Sequence, residues 1–135
     1  MAVGMFLAWG LISGYLGLFL RPDKPQIQSL LVLFPRGPSE KALWVVMSLS
    51  AAFCEEFVYL GFLQTSVRRL GGGTGVAVVL QSLAYGFAHA ALPWNIMVTV
   101  TFLGILFGAF AAWSKSLLPG MLMHSAFDLL AVFAR

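Results

Sequence analysis

The chain has 135 residues, 60 % hydrophobic and only 10 % charged, with a formal net charge of +3 and a mean hydropathy of +0.91. A water-soluble domain carries about 25 % charged residues, so water is excluded as the main solvent and one membrane-embedded unit of about five helices is expected, each needing roughly 20 apolar residues. The few positive charges form no dense basic run with interleaved aromatics, which excludes a nucleic-acid partner, and the lone cysteine, Cys54, excludes an internal disulfide.

The first predicted span runs from about Ala2 to Leu20. It has neither the positive start nor the small-residue cleavage site of a signal peptide, so a retained helix is expected, and its Gly10 and Gly14 form a GxxxG that permits close helix packing. Two prolines and three charges in Arg21-Pro-Asp-Lys-Pro25 end it. Gln26 to Phe34 is too short to span and is expected at the interface or re-entering the membrane. Pro35-Arg-Gly-Pro-Ser39 is a second break, with Ser39 as the expected cap of the next helix.

That division separates residues 1–41, an N-terminal span with its interfacial connection, from a transmembrane core, 42–135. The second span, about Ala42 to Leu63, carries Glu55 and Glu56. Arg68, Arg69 and Gly71-Gly-Gly-Thr-Gly75 connect it to a third span, about Val76 to Leu92, which carries Gln81, Tyr85 and His89 and stops at Pro93. The fourth, about Trp94 to Trp113, has a second GxxxG at Gly104 and Gly108. After a tight turn at Lys115, the fifth, about Leu117 to Ala134, carries His124 and Asp128. Arg21, Lys24, Arg36, Lys41 and Arg135 then fall on one side and Arg68, Arg69 and Lys115 on the other. The positive-inside rule makes the first side cytoplasmic and the N-terminus external.

Acidic residues at a span centre cost about 2.5–3.5 kcal/mol each even on a lenient scale. Glu55 and Glu56 are adjacent, so each also resists ionisation of the other. Gln81, Tyr85 and His89 recur every four residues and form one polar stripe facing the bundle interior, and His124 and Asp128 lie one turn apart on one helix face. Taken singly, these read as a hydrogen-bonded acid pair, a satisfied core histidine and a His–Asp pair. Three spans with ionisable groups in an interior otherwise free of them point instead to one shared site. A carboxylate, two imidazoles and a further acid suit water activation beside a carbonyl. Zinc is the alternative, with Glu55, His89 and His124 as ligands, although HExxH is absent and no serine sits in GxSxG. Helical rise places Glu55 and His89 about 10 Å apart in depth.

These residues resemble the CAAX-processing and bacteriocin-processing membrane proteases, the Abi family. Its EExxxR motif reads Glu55-Glu56-Phe-Val-Tyr59-Leu60-Gly61 here. FxxxH reads Tyr85-Gly86-Phe87-Ala88-His89, and HxxxN or HxxxD reads His124-Ser-Ala-Phe-Asp128. The resemblance covers about Leu43 to the C-terminus. It implies a multi-pass membrane endopeptidase, in the cell membrane if bacterial, that acts on a membrane-associated peptide or protein. Glu55 would deprotonate the attacking water, His89 would help to hold it, Glu56 would orient the site, and His124 with Asp128 would steady the oxyanion, with no cofactor expected. Leu60 stands where the family has Arg, the i+4 partner of Glu56; Tyr59 is the substitute partner expected for that acid. The alternative is therefore a catalytically impaired relative that acts as a membrane binding or bacteriocin-immunity protein. A proton-coupled transport or channel subunit is the third reading. An ionised Asp128 would repel an oxyanion, so it acts either as a neutral acid or by orienting His124.

Overall fold

The computed structural model describes residues 2–133 except Pro22. The predicted end of span five at Ala134, the cation Arg135, and Pro22 of the first break lie outside the described residues. The described chain is all helix and turn, with the order α1 (Ala2–Phe19), α2 (Lys24–Leu33), α3 (Pro38–Glu55), a π-helical segment (Glu56–Gln64), α4 (Thr65–Arg69), α5 (Thr74–Ala88), α6 (Trp94–Ser114) and α7 (Leu118–Phe133). α3, the π segment and α4 run on as one helix of 32 residues, Pro38–Arg69. This rod and α6, of 21 residues, are long and apolar enough to cross a membrane; the apolar helices Leu7–Phe19, Thr74–Ala88 and Leu118–Phe133 are shorter. Leu11, Leu43, Phe62 and Trp113 point outward and are exposed, a surface that suits lipid better than water.

Local chemistry sets the helix ends. Asp23 caps α2: its carboxylate accepts from the Gln26 backbone N–H at 2.9 Å, and the Gln26 side chain accepts from Asp23 N–H at 3.1 Å. With Pro25 in the first turn, where its missing N–H costs nothing, α2 starts at Lys24 rather than at Gln26. The expected cap Ser39 lies inside the first turn of α3. Gly37 occupies the cap position, and the Glu40 carboxylate accepts from the Arg36 and Gly37 N–H groups at 2.6 and 3.3 Å. The rod also runs past the predicted stop at Leu63, so that Arg68 and Arg69 end it, where cations favour the negative end of the helix dipole. His89, expected within the third span, is instead the residue that closes α5. Lys115 makes the expected tight turn in the left-handed region, φ 55°.

The π segment explains how one face of the long rod stays buried. Ser48, Ala52, Glu56, Leu60 and Gln64 are the buried residues along it, every fourth position. In a continuous α-helix, four residues advance the face by about 40° beyond a full turn, so a strict four-residue stripe would rotate out of the bundle. The wider turn of i→i+5 bonding offsets that drift from Glu56 onward.

α5 and α6 pack most extensively, because glycines let the backbones approach. A Cβ on Gly104 would lie 3.1 Å from Tyr85 Cδ1 and 3.2 Å from Ser82 Cα, and one on Gly86 would overlap Thr101 Oγ1. Side-chain amides bond to the α6 backbone from both neighbours: Gln81 Nε2 of α5 donates to the Gly104 carbonyl at 2.8 Å, and Gln64 Nε2 of the π segment to that of Gly108 at 3.1 Å. Such bonds hold membrane helices together in the absence of a hydrophobic driving force. The first GxxxG behaves differently. Nothing among the described residues lies within 4 Å of a Cβ built on Gly10 or Gly14, so that motif packs against no described helix. α1 is instead held by Trp9 against Phe127, 5.9 Å between rings, and by Asn95 Nδ2 donating to Leu20 O at 3.3 Å.

Overpacking a tight seam typically costs 1–3 kcal/mol. Gly104→Leu should therefore lower the thermal unfolding midpoint of the detergent-solubilised protein, while Gly10→Leu should leave it nearly unchanged. Equal midpoints for the two variants would contradict this packing.

Candidate active site

Three helices bring the ionisable side chains together. The Pro38–Arg69 rod offers Glu55 and Glu56 at the junction where α-helix becomes π-helix, a distortion frequent at functional sites. α7 offers His124 and Asp128 from one face, and α5 offers Tyr85, with His89 just beyond its end. The Trp44 indole N–H donates to the Asp128 carbonyl at 3.1 Å and fixes α3 against α7.

His124 is the hub and is buried. Its Nδ1 lies 3.5 Å from Glu56 Oε1, and its Nε2 lies 3.8 Å from Glu55 Oε2, 3.8 Å from Asp128 Oδ2 and 3.3 Å from the Tyr85 hydroxyl. The two glutamates are not equivalent. The Glu55 side chain keeps 32 % of its surface open and that of Glu56 only 4 %, so Glu55 is partly accessible and Glu56 backs the histidine. The other oxygen of Glu56 rests against α7, where a Cβ on Gly120 would lie 2.6 Å from Glu56 Oε2 and displace it. Phe107 packs against the His124 ring at 5.8 Å.

Glu55, Tyr85, His89, His124 and Asp128 all line one cavity of about 750 Å³. Its remaining walls are apolar and include Ile27, Leu31 and Phe34 from α2 and its end, Met47, Leu92 and Ile96. The short α2 thus covers the cavity that holds the polar groups. A smaller cavity of about 240 Å³, lined by Gln64, Arg68 and Lys115 among others, contains none of these residues. Cys54 is exposed.

The arrangement departs from the sequence expectation at three points. His89 shares the cavity but sits apart from the carboxylates. Its Nδ1–H donates to the Tyr85 carbonyl at 2.9 Å, which leaves Nε2 as the free ring atom, and it forms no ion pair among the described residues. Tyr59 does not serve Glu56; it packs edge-on against Tyr85, 5.1 Å between rings. The zinc set Glu55, His89 and His124 does not cluster, and among the described residues no three His, Cys, Asp or Glu side chains are grouped to hold a metal ion. Tyr85 was legible only as part of a stripe, because a phenol four residues from a histidine carries no catalytic signal of its own.

A family model described as type II CAAX prenyl endopeptidase Rce1-like matches residues 37–130. The chain belongs to that family. The match begins at the cap of α3 and takes in every one of the clustered residues, so the resemblance of the three motifs and the grouping of their side chains concern the same stretch. No curated protein and no solved structure matches the chain. The Rce1-like proteins are membrane proteins of the CAAX protease type, which agrees with the two membrane-length helices here.

Within this Rce1-like core, Leu60 is buried and packs with Leu103, Phe107 and Met123. The position that carries Arg in the EExxxR motif is part of the apolar core, and the counter-group next to Glu56 is His124. Gly120→Ala should force the Glu56 carboxylate off His124, because a real Cβ does not sit 2.6 Å from an oxygen. The expected cost is about 1–3 kcal/mol in stability, with partial recovery in Gly120→Ala/Glu56→Asp, whose carboxylate is one carbon shorter. Additive effects of the two changes in thermal unfolding would show that the contact is unimportant.

Proposed function

We propose that this chain is an intramembrane endopeptidase that hydrolyses a peptide bond of a membrane-associated substrate with water activated by Glu55. The observation that carries the reading is the partly open Glu55 carboxylate beside a buried His124, on the wall of a cavity whose other walls are apolar. Water held between Glu55 and the substrate carbonyl gives its proton to the carboxylate as the new O–C bond forms and the carbonyl electron pair moves onto oxygen. When the tetrahedral species collapses, the C–N bond breaks and the protonated Glu55 returns the proton to the leaving amine. Glu56 orients His124, His124 and Asp128 face the developing oxyanion, and His89, through its free Nε2, holds water or substrate further along the wall. No metal takes part in this reading.

In the same proposal α1, the Pro38–Arg69 rod, α5, α6 and α7 are five spans with the N-terminus outside, and α2 lies at the cytoplasmic interface beside Lys24 and Arg36. Reporter fusions after Gly37 and after Gly72 should then report opposite sides, with Gly37 cytoplasmic. Finding both on one side would remove the rod as a span.

A second reading is an Rce1-like member that binds membrane peptides without cutting them, for instance in bacteriocin immunity; the buried Leu60 at the motif Arg position supports it. Assay of the chain in lipid nanodiscs against prenylated CAAX-tail peptides and unmodified membrane-anchored peptides separates the two. The protease reading expects cleavage that survives a strong chelator and falls about 10²–10⁴-fold in Glu55→Gln. Binding without cleavage would establish the second reading, and zinc-reversible loss on chelation would replace the metal-free mechanism.

A further inference from the structure

The hydrogen-bond donors facing the cavity pose a problem for any oxyanion formed there. Glu55 and an ionised Asp128 only accept. His124 Nε2 donates only when the ring is protonated or when its proton sits on that nitrogen. With the proton on Nδ1, which lies 3.5 Å from Glu56 Oε1 and makes no hydrogen bond among the described residues, Nε2 is the acceptor for the Tyr85 hydroxyl at 3.3 Å. His89 spends its Nδ1–H on the Tyr85 carbonyl. The hydroxyl of Tyr85 is the cluster's one donor that needs no change of charge on any neighbour.

Its position suits the task. The oxygen lies 3.3 Å from His124 Nε2, the ring nitrogen that Glu55 Oε2 and Asp128 Oδ2 flank at 3.8 Å each. The proposed base and this donor therefore border the same small volume. The phenol is held firmly: only 5 % of the residue is exposed, its ring meets those of Tyr59 and His89 edge-on at 5.1 and 5.0 Å, and the bare backbone of Gly104 backs it. Rotation about the C–O bond alone re-aims the proton from His124 to a substrate oxygen. Preorganised donors of this kind are the strongest contributors to stabilising a developing oxyanion. The aromatic position of the FxxxH pattern thus carries a hydroxyl in this chain.

We infer that Tyr85 is a catalytic residue whose O–H donates to the oxyanion and supplies the neutral donor that the carboxylate of Asp128 lacks. The inference rests on the protease reading given above. Tyr85→Phe keeps the ring and its contacts, so the protein should retain its thermal unfolding midpoint within a few degrees. Loss of one oxyanion donor should lower kcat on a prenylated CAAX-tail peptide by about 10²–10³-fold with little change in KM. Asp128→Asn places an N–H donor beside the same ring nitrogen. It should raise the rate of Tyr85→Phe at least about tenfold more than it raises that of the unsubstituted chain, a non-additivity expected only of groups that share one partner. A residue that merely positioned His124 would not be rescued in this way. If kcat of Tyr85→Phe stays within about threefold of the unsubstituted chain, or the two changes add independently, the donor role is overturned while the base stands. Retained cleavage by Glu55→Gln overturns the general base without touching Tyr85, and no cleavage by the unsubstituted chain overturns both.

Discussion

The His124 imidazole joins the chemistry of this molecule to its fold. One ring nitrogen faces the buried Glu56, and the other faces Glu55, Asp128 and the Tyr85 hydroxyl. In an apolar interior each of these groups alone would carry a desolvation cost of several kcal/mol. Gathered on one ring at 3.3–3.8 Å, they attract one another, although Glu55 Oε2, Glu56 Oε2 and His124 Nδ1 make no hydrogen bond among the described residues. The three helices that carry them therefore gain a reason to pack in one arrangement, since any slip of α7 against the rod would strand carboxylates without a partner.

The rest of the bundle can be read as what such a cluster requires. Glu56 lies against α7 at Gly120, where a Cβ would stand 2.6 Å from its Oε2, and Tyr85, backed by Gly104 of α6, reaches His124 of α7 at 3.3 Å. The π segment begins at Glu56 and keeps Glu56, Leu60 and Gln64 turned inward along a rod of 32 residues. Leu60 in turn closes the apolar side of the cluster with Leu103, Phe107 and Met123. A guanidinium there would need the whole of Glu56 as its partner, and that carboxylate is already directed at the histidine.

α2 gives the cavity its mixed character. The helix is too short to span, yet its apolar residues roof a space whose opposite wall carries the carboxylates and imidazoles. Its last turn is tied to the rod through Phe34, whose ring stacks on Trp44 at 5.7 Å, and Trp44 in turn holds the Asp128 carbonyl. The cover and the cluster are thus joined by two contacts, so the shape of the cavity mouth and the placement of α7 are mechanically linked.

Hydropathy, proline breaks and four-residue spacing were enough to read an all-helical chain, the approximate position of each helix, and the residues Glu55, Glu56, Tyr85, His89, His124 and Asp128 as a polar set on inward faces. These are local properties: helical periodicity fixes which side chains share a face, and the cost of bare charge in lipid makes a polar stripe stand out. The sequence could not rank the members of the set. Both glutamates look alike in Glu55-Glu56, and only the packing of α7 at Gly120 buries one and leaves the other open. Both glycine pairs look alike as GxxxG, but among the described residues only Gly104 and Gly108 have side chains of a partner helix against them. The two histidines also look alike, yet His124 became the hub while His89 was taken up by the Tyr85 carbonyl at a helix end that ran shorter than its apolar stretch. For the glutamates, the glycine pairs and the choice of His124 as hub, the deciding quantity was a distance between helices far apart in the chain, which no local pattern contains; His89 was decided by where α5 ends.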